Sequence, residues 1–261
     1  VDITGEIPVF ERSHLFNGKA KSKGITVIPG VGFDVIPTDC MASFVASKVK
    51  NPTDLHIGFR GLGGLSPGTL KTMVNNLPHG IYARRNGKLQ KIRPGSGVRK
   101  VKFPDGTFTM VPISWGDLST AYHSTNVPNI STYTALPWFY PLLFPVLFAV
   151  GGPLIKRKGI HTLAERMIDR FVRGPDEHTR QTGKAFVWAQ AVGSDGTSHE
   201  AWLQTMEGYH FTGVAGVRSV EEVLTHKPVG ALTPSQAFGA DYILSMPQTF
   251  RADRPEGLGG G

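Results

Sequence analysis

The stretch Ile25-Thr26-Val27-Ile28-Pro29-Gly30-Val31-Gly32-Phe33-Asp34-Val35-Ile36-Pro37-Thr38-Asp39 constrains this chain more than any other. Its first four residues are β-branched and are bounded by Gly24 and Pro29-Gly30, which predicts a short buried strand. Gly30 and Gly32 suit a tight turn. Pro37 suits the first turn of a helix, which apolar residues at helical spacing continue to Val49. Strand, glycine turn and helix in that order make an α/β crossover. A second strand over residues 55–59 runs into the glycine-rich 61–69, and a helix follows as far as Leu77.

Farther along, the pattern changes. Residues 98–113 predict a hairpin turning at Pro104-Asp105-Gly106, and 184–206 another turning at Ser194-Asp195-Gly196. Helices are expected over 9–23, 159–173, 214–226 and 234–245. Antiparallel hairpins after an α/β start imply a mixed sheet with helices on one face, an α+β unit.

Composition serves mainly to exclude. With 261 residues, 40% apolar and 18% charged, neither a disordered chain nor a coiled coil is expected. Cys40 is the sole cysteine, so a disulfide scaffold and a multi-cysteine zinc site are ruled out. The nine histidines never stand at HxH or HxxxH spacing, and no GxSxG elbow or P-loop occurs. A formal charge of +8 favours anionic partners. Between Asp54 and Asp105 no acid occurs, while Arg60, Lys71, Arg84, Arg85, Lys88, Lys91, Arg93, Arg99, Lys100 and Lys102 are basic. That run reads as a solvated face, or else as a surface for an acidic carrier protein, anionic lipid or a cofactor phosphate. Nucleic acid is not expected, because recognition motifs and interleaved aromatics are missing.

Between Asp117 and Lys156 the chain carries no Asp, Glu, Lys or Arg, and Lys156-Arg157-Lys158 closes the run. Three readings of its centre, residues 136–155, stay open. It is a subunit interface or pocket wall, a membrane-contacting segment, or a span of about 30 Å of hydrocarbon. Pro141 and Pro145 argue against the span.

Chemistry is sparse. Gly61-x-Gly63-x-x-Ser66 mimics a dinucleotide fingerprint, yet its third glycine is absent. The next acid, Asp105, lies far beyond the roughly 20 residues expected for a ribose-binding carboxylate. A turn lining a pocket fits better, with Ser66, Gly68 and Thr69 offering hydroxyl and N–H groups at a helix N-terminus. Tyr122-His123 and Tyr209-His210 are candidate proton donors, against a reading as ordinary strand-end residues.

Residues 1–6 show no basic stretch leading into an apolar one, so no signal peptide is read. The expected location is cytoplasmic, with peripheral membrane contact as an extension. They alternate like a strand from the first residue, which suggests missing upstream sequence.

The run Val1-Asp2-Ile3-Thr4-Gly5-Glu6, followed by residues 28–39, resembles the saccharopine dehydrogenase-like oxidoreductases. The likeness is nearest to the branch that includes bacterial trans-acting enoyl reductases. Gly63-Gly64-Leu65-Ser66-Pro67-Gly68-Thr69, Glu207-Gly208-Tyr209 and residues 230–239 continue it in the family's order. The resemblance implies a Rossmann domain binding NAD or NADP, then an α/β domain that shapes the substrate pocket and often a homodimer interface. The family's GxxGxxG phosphate loop lies upstream of the residues matching Val1 to Glu6.

On that basis residues 1–50 are the C-terminal part of a Rossmann-type domain, 51–250 an α+β substrate and dimerisation domain, and 251–261 a disordered tail. Thr4, Gly5, Glu6, Gly30, Gly32 and Phe33 are implied cofactor contacts, and Ser66, Gly68 and Thr69 face the substrate. Asp34 and Tyr209 are the implied catalytic pair, with Tyr209 as proton donor to a small-molecule or acyl substrate. Without the pyrophosphate cradle this chain alone is expected to be inactive. The alternative is a non-catalytic membrane- or partner-binding protein on the same scaffold.

Overall fold

The computed structural model describes residues 1–61, 64 and 66–258. The chain begins with α1 (Ile7–Leu15), α2 (Asn17–Ser22), β1 (Thr26–Val27), α3 (Ile36–Ser47), β2 (Pro52–Gly61) and α4 (Pro67–Asn76). Two hairpins follow, β3 (Ile81–Arg85) with β4 (Lys88–Ile92), and β5 (Arg99–Phe103) with β6 (Gly106–Ile113). Next come α5 (Asp117–Thr125), β7 (Asn129–Ala135), α6 (Tyr140–Val146), α7 (Gly152–Ile155), α8 (Lys158–Phe171) and α9 (Glu177–Thr182). A third hairpin, β8 (Lys184–Gly193) and β9 (Ser198–Met206), leads to α10 (Gly208–His226), β10 (Gly230–Ala231), α11 (Pro234–Phe238) and β11 (Phe250–Ala252).

β2 organises the main sheet, pairing parallel with β7 (Leu55 opposite Ile130) and antiparallel with β8 (Leu55 opposite Ala191). The order is β11-β9-β8-β2-β7-β3-β4, with β6 also on β7 and β5 on β6. This is the mixed α/β fold that the sequence predicts. Along β2, Leu55 and Ile57 enter the helix-covered core, while the alternate residues His56, Gly58 and Arg60 fall on the opposite face. α3 is buried on nearly every side because it packs between the sheet and α5 and α11; a helix without a polar face must be central. One apolar cluster runs from Ile28 and Val45 through Leu203 and Phe211 to Ile243, so residues on both sides of position 50 share a core. The outer sheet face is closed by the β5–β6 hairpin, whose Val101 and Phe103 cover Tyr133, Trp188 and Trp202.

Several expectations need correction. Residues 1–6 form an extended strap rather than a strand, held where the Val31 N–H donates to the Asp2 carbonyl at 2.8 Å. The strand over 25–28 shrinks to β1, which pairs with β10 outside the main sheet. The helix over 9–23 breaks at Phe16. The one over 234–245 breaks at Gly239, whose φ of +86° ends α11. α10 starts at Gly208, not 214, because Glu207 caps it. The tail is ordered to 258: β11 pairs with β9, and Pro255 and Leu258 are buried against the outer sheet face.

The basic run divides: Lys88, Lys91, Arg93, Lys100 and Lys102 are exposed, as a solvated face requires, and others are tied into the fold. Arg84 is buried and bound to Glu11 and the Gly87 carbonyl, Arg99 contacts Gln190 and His56, and Arg60, Lys71 and Lys102 pair with Asp105, Asp169 and Glu256. Among the described residues no helix is long and apolar enough to cross a membrane.

Candidate functional site

Three distant segments meet where α10 begins. Glu207, itself buried, accepts hydrogen bonds from the N–H groups of Tyr209 (2.8 Å) and His210 (3.0 Å). Gly208 admits the ring of Phe33, for a Cβ there would stand 3.1 Å from it. The Phe33 N–H donates to Thr212 Oγ1 at 3.0 Å, one turn farther along the helix. On the other side, the Tyr209 hydroxyl accepts from the Ser66 N–H at 2.8 Å and lies 2.9 Å from Thr69 Oγ1. Thr69 Oγ1 is 3.1 Å from Ser66 Oγ, and that same Oγ caps α4 by accepting from the Thr69 N–H. Phe33 and Ser66 thus bracket one helix terminus, and a short chain of hydroxyls ends on Tyr209.

Beside them lies Asp34. Phe33 stands edge-on to Phe59 and Phe211, Phe59 packs on Trp115 at 4.6 Å, and Trp115 Nε1–H donates to the Asp34 carbonyl at 2.9 Å. Gly5 leaves room for the carboxylate, since a Cβ at Gly5 would stand 2.9 Å from Oδ2. Burial in these surroundings pushes the Asp34 carboxyl up to about 6. The folded state therefore holds this proton more tightly than the unfolded chain does. Stability falls as pH rises from the ordinary carboxylate range through about 6, and the full cost, roughly 3 kcal/mol, is carried above it. Asp34→Asn should then raise the melting temperature by several degrees at about pH 8 and by little at about pH 4. Equal shifts at both values, by calorimetry, would contradict the burial argument.

The remaining implied site residues are dispersed. Gly30 has φ +79°, and a Cβ there would meet Val35 Cγ2 at 2.7 Å and the Phe10 ring at 2.9 Å. It serves packing, and Gly30→Ala should cost about 2–4 kcal/mol in urea unfolding from left-handed strain plus overpacking. A loss below about 1 kcal/mol would refute that role. Gly32 lies against Thr212. Thr4 and Glu6 belong to the strap, where the Thr4 N–H donates to Asp2 Oδ1 at 2.9 Å and Glu6 is exposed. Gly68 is exposed in the first turn of α4. Leu62, Gly63 and Leu65 of the glycine-rich segment lie outside the described residues.

Sequence reasoning missed Phe59, Trp115 and Thr212 as wall residues, since nothing local marks them. Two buried carboxyls stand behind the site: burial pushes both Asp39 and Asp117 up, and Asp117 Oδ2 has no hydrogen-bond partner among the described residues. A cleft of about 480 Å³ lies elsewhere, on the outer sheet face between Arg99, Trp188, Gln190, Trp202 and Arg254.

An apo histidine-tagged saccharopine dehydrogenase (L-Glu forming) from Saccharomyces cerevisiae matches with a TM-score of 0.50 and 14% identity, covering 87% of this chain and 72% of that one. The fold is similar to that of a saccharopine dehydrogenase. A dehydrogenase from Clostridium difficile has a TM-score of 0.28 and 8% identity, covering 90% of this chain and 65% of its own. No family model and no curated protein sequence matches the chain. Within this saccharopine dehydrogenase-like fold, a partly exposed phenol backed by hydroxyls and a backbone N–H stands where it can give up a proton.

Proposed function

We propose that the chain provides the proton-donating side of a nicotinamide-dependent reduction. The observation that carries this reading is the Tyr209 hydroxyl, held by the Ser66 N–H and Thr69 hydroxyl at the terminus that Phe33 also reaches. The fold likeness supports hydride chemistry only by analogy.

The 30–34 turn does not fit a pyrophosphate. The space beside Gly30 is filled by Val35 and Phe10, so a phosphate has no room to approach the backbone there. The wall of Phe33, Phe59 and Trp115 beside Asp34 is a better match for the uncharged nicotinamide end. The cofactor contacts implied for Thr4, Glu6, Gly30 and Gly32 therefore narrow to Gly5, Phe33 and Asp34.

A bound NAD or NADP would supply hydride to the carbon of a C=C, C=N or C=O bond. Tyr209 gives its hydroxyl proton to the other atom of that bond. The phenolate left behind keeps the Ser66 N–H bond, beside the positive end of α4, and regains a proton from water through Thr69 and Ser66. Asp34 borders the reaction and titrates near 6, so turnover should inflect near that pH, and the inflection should vanish in Asp34→Asn.

The test is a turnover assay of the complete gene product, however far it extends beyond these 261 residues, with either reduced dinucleotide. A ketone, an imine and an enoyl thioester serve as acceptors. Oxidation of the cofactor by at least one acceptor supports the reading; none with all three overturns it.

A further inference from the structure

The uncharged segment builds a helical rod that is apolar on both sides. α6, a π-helical turn over Leu147–Gly151 and α7 follow one another, and Pro145 and Pro153 withhold backbone donors along the way. Phe144 and Phe148 pack inward on Ile81 and Val111. The outward side is no more polar: Leu142 is 71% exposed, Val146 64% and Val150 55%, with Trp138 at 73% just ahead of it. α8 packs next to α7 and exposes Leu163, Met167 and Phe171, one helical turn apart. Monomeric proteins rarely leave so many large apolar side chains of adjoining helices exposed to water.

Charge identifies the occupant. Lys156, Arg157, Lys158, Arg166, Arg170 and Arg173 border this surface, and none joins an ion pair among the described residues. Of the α8 acids, Asp169 pairs with Lys71, and Glu165 lies 3.5 Å from His161 Nδ1, so the six cations outnumber the acids beside them. A second copy docked about a two-fold axis would bring this cationic rim toward itself. An anionic bilayer instead offers phosphates to the cations and hydrocarbon to the leucines, with Trp138 and Tyr140 suited to the headgroup depth. The rod is about 24 Å long, short of the roughly 30 Å of hydrocarbon, so it suits lying in the interface.

We propose that α6, α7 and α8 dock this protein onto the interface of an anionic phospholipid bilayer without crossing it. This stands apart from the reductase reading, because binding rather than turnover reports it. The end of α8 also leads to the candidate site, since a Cβ at Gly174 would lie 3.4 Å from Ser66 Cα. An apolar substrate dissolved in the bilayer would thus arrive near Tyr209.

The test is co-sedimentation of the 261-residue chain with phosphatidylcholine vesicles, with and without phosphatidylserine, at low and high salt. Binding is expected only with phosphatidylserine and should weaken with salt. Neutralising Lys156, Arg157 and Lys158 together should lower the partition coefficient about 100-fold. A blue shift of tryptophan fluorescence should accompany binding and disappear in Trp138→Phe, because Trp188 and Trp202 are already buried and Trp115 packs on Phe59. The double variant Leu142→Ser, Val146→Ser changes only exposed side chains and should lose most of the binding while keeping its circular dichroism. Three results would each overturn the proposal: no binding at low salt, binding indifferent to that double variant, or a lipid-free dimer that buries Trp138.

Discussion

Tyr209→Phe is expected to lower kcat by about 10²–10⁴-fold, the usual worth of a positioned proton donor, while leaving the KM for dinucleotide nearly unchanged. The variant keeps the ring and loses only the hydroxyl that accepts from Ser66 and meets Thr69. Its effect on folding should be small, under about 1 kcal/mol, because Ser66 is only partly buried and its N–H can turn to water. That separates chemistry from structure: a purely structural tyrosine would move the melting temperature and kcat together. Thr69→Ala interrupts the return path of the proton rather than its delivery. It should cost less than Tyr209→Phe and slow turnover most at high pH. Turnover of Tyr209→Phe within tenfold of the parent would remove Tyr209 from the reaction.

Asp39→Ala should be the most destabilising single change away from the site, at about 3–5 kcal/mol. Asp39 is fully buried in α3, where it accepts from the Ser235 N–H at 2.8 Å and from the Ser124 hydroxyl, with the Thr233 hydroxyl bonded to Ser124 at 2.7 Å. One carboxyl therefore joins α3, α5 and the start of α11. Burial raises its pKa while these hydrogen bonds pull the other way. Truncation would leave the buried Ser235 N–H without its acceptor and the Ser124 hydroxyl with only the Thr120 carbonyl and Thr233 as partners. Asp39→Asn keeps an oxygen for the Ser235 N–H and should lose less than half as much. Urea unfolding of the two variants checks the ordering; equal losses would mean that charge, not the acceptor, holds the three helices together.

The elements were legible wherever turn chemistry and periodicity agree. Pro104-Asp105-Gly106 and Ser194-Asp195-Gly196 close hairpins where expected, and Pro67 sits in the first turn of α4. The β3–β4 hairpin was overlooked although its signal is local: Asn86-Gly87 turns with φ of 49° and 75°, as a two-residue hairpin turn requires. The extent of the strand over 25–28 and the order of the C-terminus are not legible in sequence for a different cause. Both depend on partners far away in sequence, β10 for one and β9 for the other.

For the candidate site, the residue types were readable and the grouping was not. Tyr209, Phe33, Ser66 and Thr69 were singled out one by one, yet Tyr209 and Ser66 are 143 positions apart. The basic run between 54 and 105 is a surface at Lys88, Lys91, Arg93, Lys100 and Lys102, but sequence cannot reveal that Arg84 lies under α5 or that Arg99 rests on His56.

Sequence alone decided the α/β class, the hairpin turns and the apolar character of 136–155, since these follow from backbone preferences and spacing within a few residues. Tertiary structure alone decided that α10 begins between the 30–34 turn and α4, that the Asp34 carboxyl is buried beside Gly5, and that the outer side of α6 and α7 stays uncovered. The physical reason is common to all three: burial and charge pairing depend on which distant surfaces come into contact, and chain order does not encode that at short range.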